Sequence, residues 1–144
     1  MKILANLQLA IRLSLMLIFS YSGFFKVQNF TEFKTGLLKT GIFSQAWLHT
    51  SALTIVGAEV LICILLLKWP KTGVWGCFMA SIGFTAYISY LYQNNVYSEC
   101  GCGGILNTLS YPNHMVFNIS MIVASALYLL VNKKVALSNT AVVS

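Results

Sequence analysis

Two cysteines separated by a single glycine, Cys100 and Cys102, are the residues of this chain best suited to chemistry. Two thiols at this spacing can close a small, strained disulfide ring, and strained, exposed disulfides are the more oxidising and exchangeable ones. The glycines at positions 101, 103 and 104 let a second backbone approach closely, as a mixed-disulfide intermediate requires. The pattern favours thiol–disulfide exchange, with Cys100 and Cys102 as the reacting pair.

A static clamp and a metal site are the alternatives for this pair. A disulfide that closes over one residue removes almost no loop entropy, so its stabilising value as a clamp is small. His114 is the candidate base nearest the loop in sequence, and a histidine there could handle a proton, complete a Cys-Cys-His metal site or simply lie at the membrane boundary. We expect His114 to handle a proton and predict no metal centre. His49 is more plainly a boundary residue.

Glu59 is a carboxylate in the middle of an apolar stretch, Val56–Val60. A charge at that depth in a membrane is costly and suggests a function, such as a proton relay or a quinone site. A buried polar tie between helices is the structural alternative. Arg12 is a candidate partner for Glu59 if their helices touch. Cys63 and Cys77, by contrast, flank a turn and are expected to pack as small apolar side chains.

The composition of the chain is that of a membrane protein. Apolar residues make up 58% of its 144 residues and charged residues 8%, against roughly 25% charged in a typical soluble domain. So few charges could not cover the surface of a soluble protein, so the bilayer must solvate it. The net charge of +6 comes from scattered lysines and arginines without a basic stripe, which excludes a nucleic-acid partner.

Four apolar stretches are long enough to cross about 30 Å of hydrocarbon. They predict an all-α, four-helix membrane bundle with spans at 3–25, 46–67, 73–92 and 113–131. A cleaved signal peptide is the alternative for the first stretch, but its apolar pattern extends upstream of Arg12. The spans make one domain over residues 1–135, followed by a flexible tail at 136–144.

The first loop contains a predicted short amphipathic helix. Asn29 and Glu32 have the spacing of a capping box, and Gly41 is a stop signal. The apolar side chains at 30, 33, 37 and 38 fall on one face. This helix is expected to pack on the bundle or lie on the membrane surface, rather than to dock another protein.

Lysine and arginine positions predict the orientation. Six of them, at 2, 12, 68, 71, 133 and 134, fall on the side of both termini, and three, at 26, 34 and 39, fall on the other. The excess places both termini in the cytoplasm. In a bacterium the chain would then lie in the inner membrane with the cysteine loop in the periplasm, where a disulfide persists.

These residues resemble the MauE/DoxX-type family of small bacterial four-helix membrane proteins. The likeness is carried by the helix end at 21–26, the segment around Phe33, Glu59, the Cys100–Gly104 loop and Asn113 at the start of the fourth helix. The Cys-x-Cys-Gly loop points to the MauE branch. The resemblance implies a redox partner in the maturation of disulfide-rich periplasmic proteins, acting with thioredoxin-like proteins, while DoxX-like relatives imply a link to quinone oxidoreductases.

Two functions follow as hypotheses. In the first, the protein exchanges the Cys100–Cys102 disulfide with a periplasmic thioredoxin-like partner, and a membrane quinone is the candidate cofactor. In the second, it is a non-catalytic subunit or assembly factor of a larger membrane complex, and the cysteines shape a contact. Small size and few polar residues in the membrane also fit the second hypothesis.

Overall fold

The computed structural model describes the backbone of residues 2–97 and 109–143 and the side chains of residues 3–97 and 109–133. Cys100 and Cys102 therefore lie outside the described residues. The described chain is all-helical and has five helices: α1 (Lys2–Gln28), α2 (Phe30–Lys39), α3 (Leu48–Lys68), α4 (Pro70–Gln93) and α5 (Tyr111–Val143).

Four of these helices are long and apolar enough to cross a bilayer, over Ile3–Gln28, Leu48–Lys68, Pro70–Gln93 and Tyr111–Lys133. Their outward faces carry large exposed apolar side chains such as Leu17, Leu67 and Val116. Such a surface would be a liability in water but is what lipid requires. The protein is a multi-pass, four-helix membrane bundle, as its sequence predicted.

The bundle has two ends, which we name by their connections. At the turn end, Trp69 alone joins α3 to α4, and Pro70 occupies the first position of α4, where its missing N–H costs nothing. At the loop end, α4 stops at Asn94 and Asn95 adopts a left-handed φ of 58°, which turns the chain out of the helix. Residues 96–110 connect this point to α5.

The interior contains a long apolar core, a smaller one at the loop end and a third where α2 packs on α3. Leu15 and Phe19 of α1 meet Leu66 of α3 and Val74 of α4 in the first core, with Met121 of α5. Ile88 and Leu91 form the second, next to Tyr97 and Tyr111. The order of contacts places α1 beside α3 and α5, and α4 between α3 and α5.

The short helix α2 is confirmed, but its cap differs from the prediction. Asn29 makes no side-chain bond to the start of α2; its amide donates instead to the Phe25 carbonyl of α1. The capping box is therefore wrong, because the amide closes the end of the preceding helix. Phe33 and Leu37 pack on α3, so α2 lies against the bundle.

Three further predictions concern the end of α2 and the end of α5. Leu38 is exposed and does not belong to the buried face of α2. Gly41 has a φ of 73° and ends this segment as expected. The backbone of α5 is helical as far as Val143, and a flexible tail at 136–144 stays a prediction.

Candidate functional site

His114 lies at the loop end of the bundle, in the first turn of α5, and is buried with 2% of its surface exposed. Its Nδ1 is 3.1 Å from the hydroxyl of Tyr97, and the same hydroxyl donates to the Leu109 carbonyl at 2.8 Å. Tyr97 and Leu109 are the last and first described residues on either side of segment 98–108. Both ends of the segment that carries the cysteines are therefore held in one hydrogen-bond network with His114.

The hydrogen bonds of Tyr97 fix the tautomer of His114. A carbonyl oxygen only accepts, so the single hydroxyl proton of Tyr97 is used at Leu109. The phenol oxygen must then accept from His114, which requires a proton on Nδ1. In the neutral ring the lone pair is consequently on Nε2, the atom able to accept a proton.

Aromatic rings support this network. Tyr111 stacks on Tyr92 with ring centroids 3.9 Å apart and meets Tyr97 edge-to-face at 5.6 Å. Burial, with a smaller effect of the neighbouring Tyr111 phenol, raises the pKa of Tyr97 above its ordinary value. Tyr97 therefore stays a neutral hydroxyl donor at physiological pH.

Glu59 is in the middle of the bundle, and its partner is Lys26 rather than Arg12. The Lys26 ammonium donates to Glu59 Oε1 and, at 3.1 Å, to Ser22 Oγ. The two charged side chains are 3% and 2% exposed. Arg12 is instead near the turn end, where its guanidinium donates to the Leu67 carbonyl at 3.1 Å. The Arg12–Glu59 pair was wrong because Arg12 meets α3 more than a turn beyond Glu59.

Lys26 was not among the predicted site residues, because it stands near the end of a span and was counted as a boundary charge. One signal could have found it. Lys26 follows Ser22 by one helical turn, so a small polar side chain and a cation share a face. The Glu59 carboxylate on another span needs a cation to neutralise it, and a Lys26 side chain that faces inward can be that cation.

A cavity of about 320 Å³ adjoins the ion pair between α2, α3 and α4. The Lys26 ammonium lies 5.0 Å from the ring centroid of Phe84 and 5.6 Å from that of Phe33, and both rings line the cavity. Ala58 and Gly83 also line it, and both are exposed on membrane-spanning helices. The cavity is therefore apolar, open toward the lipid and closed at its inner end by a charged pair.

A second, small cavity of about 30 Å³ lies on the other side of Glu59. It is lined by Ser22, Ser81 and Asn118 in addition to apolar side chains. Glu59 Oε2 and Asn118 Nδ2 are buried and have no hydrogen-bond partner among the described residues. Asn118 lies one helical turn from His114 on the buried face of α5. Nothing in the sequence singled out Asn118.

The remaining candidates are not brought into these sites. His49 is exposed, and its ring meets that of Phe30 edge-to-face at 5.7 Å. Cys77 is fully buried in the main core, and the half-buried Cys63 lies with its Sγ 3.4 Å from Ser20 Oγ. Over residues 3–97 and 109–133, no three His, Cys, Asp or Glu side chains are grouped to hold a metal ion.

The comparisons with known proteins identify a family. The chain matches the family described as methylamine utilisation protein MauE over residues 3–131, which includes the first three spans, all but the last two residues of the fourth, and the cysteine loop. No curated protein and no solved structure matched. Since the match covers most of the chain, this four-helix membrane protein belongs to the MauE family.

Proposed function

We propose that this protein is a membrane thiol–disulfide redox protein whose Cys100–Cys102 pair exchanges with a periplasmic thioredoxin-like partner. The observation that carries the proposal is the network around His114. A buried imidazole with its acceptor nitrogen defined is tied through Tyr97 and Leu109 to both ends of the segment that carries the two thiols. A buried imidazole at the root of the segment that carries two thiols supports a role in proton transfer.

The exchange proceeds in two balanced steps. The thiolate of one loop cysteine attacks a partner disulfide; the partner S–S bond breaks, a mixed disulfide forms and one partner thiolate leaves. The second loop cysteine then attacks the mixed disulfide, so that the loop disulfide forms and the partner leaves as a dithiol. The reverse sequence oxidises the partner. His114 Nε2 takes up the thiol proton that must leave before attack.

A membrane quinone is the proposed counterpart on the other side of the cycle. Oxidation of the loop dithiol to the disulfide releases two electrons and two protons, and a quinone that accepts them becomes a quinol. The placement that goes with this coupling is the bacterial inner membrane with the loop in the periplasm.

The test is to trap the exchange in cells. Cys100→Ser and Cys102→Ser, each made singly, should accumulate a mixed disulfide that a reductant releases. The wild-type pair should change its alkylation gel-shift when the quinone pool or the periplasmic oxidant is perturbed. Cys63→Ser is the matched control, because this half-buried cysteine lies on α3 away from the loop end.

The same assay separates exchange from the alternative of a non-catalytic subunit or assembly factor. The MauE family description, methylamine utilisation, is compatible with a part in assembling a larger complex. If the loop cysteines keep one redox state under every perturbation and the double serine variant has an unaltered phenotype, the exchange proposal is overturned and the assembly role is favoured.

A further inference from the structure

We infer that the cavity of about 320 Å³ between α2, α3 and α4 is a binding site for the ring of a lipid-soluble quinone. The inference rests on the proposed function, because a quinone would serve the redox cycle proposed above. Quinone binding can nevertheless be measured independently of thiol–disulfide exchange. The volume is at the lower end of the range of small-molecule sites, roughly 300–1,000 Å³. A single substituted ring fits such a space, and its apolar tail would leave through the mouth between Ala58 and Gly83.

The lining of the cavity matches a flat ring with a carbonyl oxygen. Phe33 and Phe84 are two of the aromatic side chains around it. Lys26 is at its inner end and has three N–H groups, of which Glu59 and Ser22 take two. The third is able to donate to a carbonyl oxygen, which would give the ring one fixed orientation.

A lipid acyl chain is the competing occupant, and the charged end of the cavity disfavours it. An acyl chain against the Lys26 ammonium would leave one N–H buried without an acceptor. A buried, unpaired donor is higher in free energy than a hydrated one. A quinone oxygen removes that cost. The cavity also lies next to the loop end, because Tyr87 lines the cavity and packs against the same small core as Tyr97.

Binding should be measured with the full-length protein in phosphatidylcholine–phosphatidylglycerol nanodiscs, titrated with a short-chain ubiquinone and followed by quenching of intrinsic fluorescence. Gly83→Leu and Ala58→Leu narrow the mouth from opposite walls and should raise Kd roughly tenfold or more, equivalent to about 1.4 kcal/mol. Gly57→Leu is the matched control. Like Gly83 it is an exposed helical glycine whose added Cβ meets nothing within 4 Å, but it does not line the cavity.

Each outcome decides the inference. A Kd raised in both mouth variants and unchanged in the control supports it. No saturable binding, an unchanged Kd in the mouth variants, or equally strong competition by a quinone-free acyl compound overturns it. The Cys100→Ser/Cys102→Ser variant should bind as the wild type does, so loss of exchange and loss of binding are read separately.

We also infer, from a different observation, that one water occupies the cavity of about 30 Å³ and joins Glu59 to Asn118. A water needs about 10–15 Å³ of such volume and two or more polar partners. Glu59 and Asn118 both line this cavity, and Glu59 Oε2 and Asn118 Nδ2, an acceptor and a donor, are buried without another partner among the described residues. Through Asn118 the bridge extends the ion pair toward His114, one turn away on α5.

The sign of a stability change tests the bridge. If the water joins the two groups, Asn118→Leu removes its donor and leaves Glu59 Oε2 buried and unsolvated, so the protein should become less stable. If the amide is merely unpaired, the same near-isosteric change removes an unsatisfied polar group and should stabilise. Ser125→Ala is the control, since Ser125 Oγ is buried and unpartnered among the described residues on the same helix but does not line the cavity. A stabilising Asn118→Leu overturns the bridge.

Discussion

Lys26 and Glu59 form an ion pair in which each charge would be expensive on its own. Both side chains are almost fully buried, and Phe33 and Phe84 surround the ammonium. Desolvation therefore cancels much of the attraction between the charges, and the pair is a poor source of stability compared with apolar packing. A pair of this kind is better explained by a functional role, such as holding the Lys26 ammonium as a hydrogen-bond donor at the end of the cavity.

Removing one charge should be far more damaging than removing both. Lys26→Met leaves Glu59 buried without its cation and should cost about 3–5 kcal/mol of unfolding free energy. The double variant Lys26→Met/Glu59→Leu should recover most of that loss, because no uncompensated charge remains. Unfolding in mixed detergent micelles, arranged as a double-mutant cycle, measures the coupling. Additive effects of the two single changes would contradict a direct pair.

Tyr97 sets the position of His114, and its replacement should affect proton transfer more than folding. Tyr97→Phe removes the hydroxyl that contacts Leu109 and His114. The expected loss of stability is about 1 kcal/mol, that of an ordinary hydrogen bond. Thiol exchange should slow and its pH profile should move, because Nδ1 of His114 loses its acceptor. An unchanged profile would mean that His114 handles no proton.

The pKa of Tyr97 gives a second expectation, with a definite sign. Burial raises this pKa in the folded protein, so the neutral phenol is favoured by folding. Its contribution to stability is full below the unfolded pKa of about 10 and is lost as the pH rises through the folded value. Melting temperatures of the wild type and Tyr97→Phe should therefore converge only above about pH 10. Convergence near neutral pH would show that the phenol ionises easily.

The residue types at the site were largely readable from the sequence, but their partners were not. An isolated carboxylate in a membrane span is recognisable as a candidate site residue, and so is a histidine close in sequence to a cysteine loop. Which cation meets Glu59 depends on the relative depth of α1 and α3, and this is set by packing after the helices form. Lys26 and Asn118 gained their importance in that step.

At the scale of elements, the turn between α3 and α4 controls how closely these helices approach. A Cβ added to Gly73 would lie 2.5 Å from the Leu66 backbone nitrogen and 2.8 Å from the Leu65 carbonyl carbon. Backbone atoms cannot swing aside as a side chain can. Gly73 is therefore required for close packing next to the one-residue turn at Trp69.

Gly73→Ala should separate α3 from α4 and destabilise the protein by roughly 1–3 kcal/mol. Gly57→Ala is the matched control on the neighbouring helix, since its new Cβ meets nothing within 4 Å. The control should be neutral or slightly stabilising, because alanine favours helix more than glycine does. Thermal unfolding in detergent compares the two variants. Equal stabilities would mean that the close approach at Gly73 is not needed.

A second contact between α3 and α4 lies one turn further along α4, at Gly76. Gly76 and Ala80 are separated like residues of a close helix interface, and a Cβ on Gly76 would meet the Ile62 side chain at 3.0 Å. The tighter contact is one turn earlier, because helices joined by a single residue are nearest beside that residue. Helix length, apolar content and the stop at Gly41 were predictable, since these are local properties. The folding of α2 onto α3 required the tertiary structure.

At the scale of the whole molecule, the orientation in the membrane stays a prediction from the balance of positive charges. Lys26 was counted as a charge of the loop side, but it is buried against Glu59 and does not act as a free loop charge. The balance then becomes six cations on the side of the termini against two, Lys34 and Lys39, on the other. Arg12 also reaches toward the turn end through Leu67. By the positive-inside rule this balance again predicts the termini and the Trp69 turn in the cytoplasm.

Cysteine labelling from outside the cell tests this orientation directly. In a Cys100→Ser/Cys102→Ser background, Ser44→Cys places a thiol in the exposed segment between α2 and α3, and Thr72→Cys places one in the exposed first turn of α4. A membrane-impermeant maleimide should label the Ser44→Cys variant in intact cells. It should label the Thr72→Cys variant only after the membrane is opened, because that thiol would face the cytoplasm.

Cys63 and Cys77 remain in both variants as internal controls, since both are shielded within the helices. The reverse labelling pattern would place the loop in the reducing compartment. Disulfides do not persist there, so that result would remove the chemical basis for exchange at Cys100 and Cys102. The cavity beside Lys26 would still be open to its own binding test, because a quinone reaches it from the lipid whichever way the bundle is inserted.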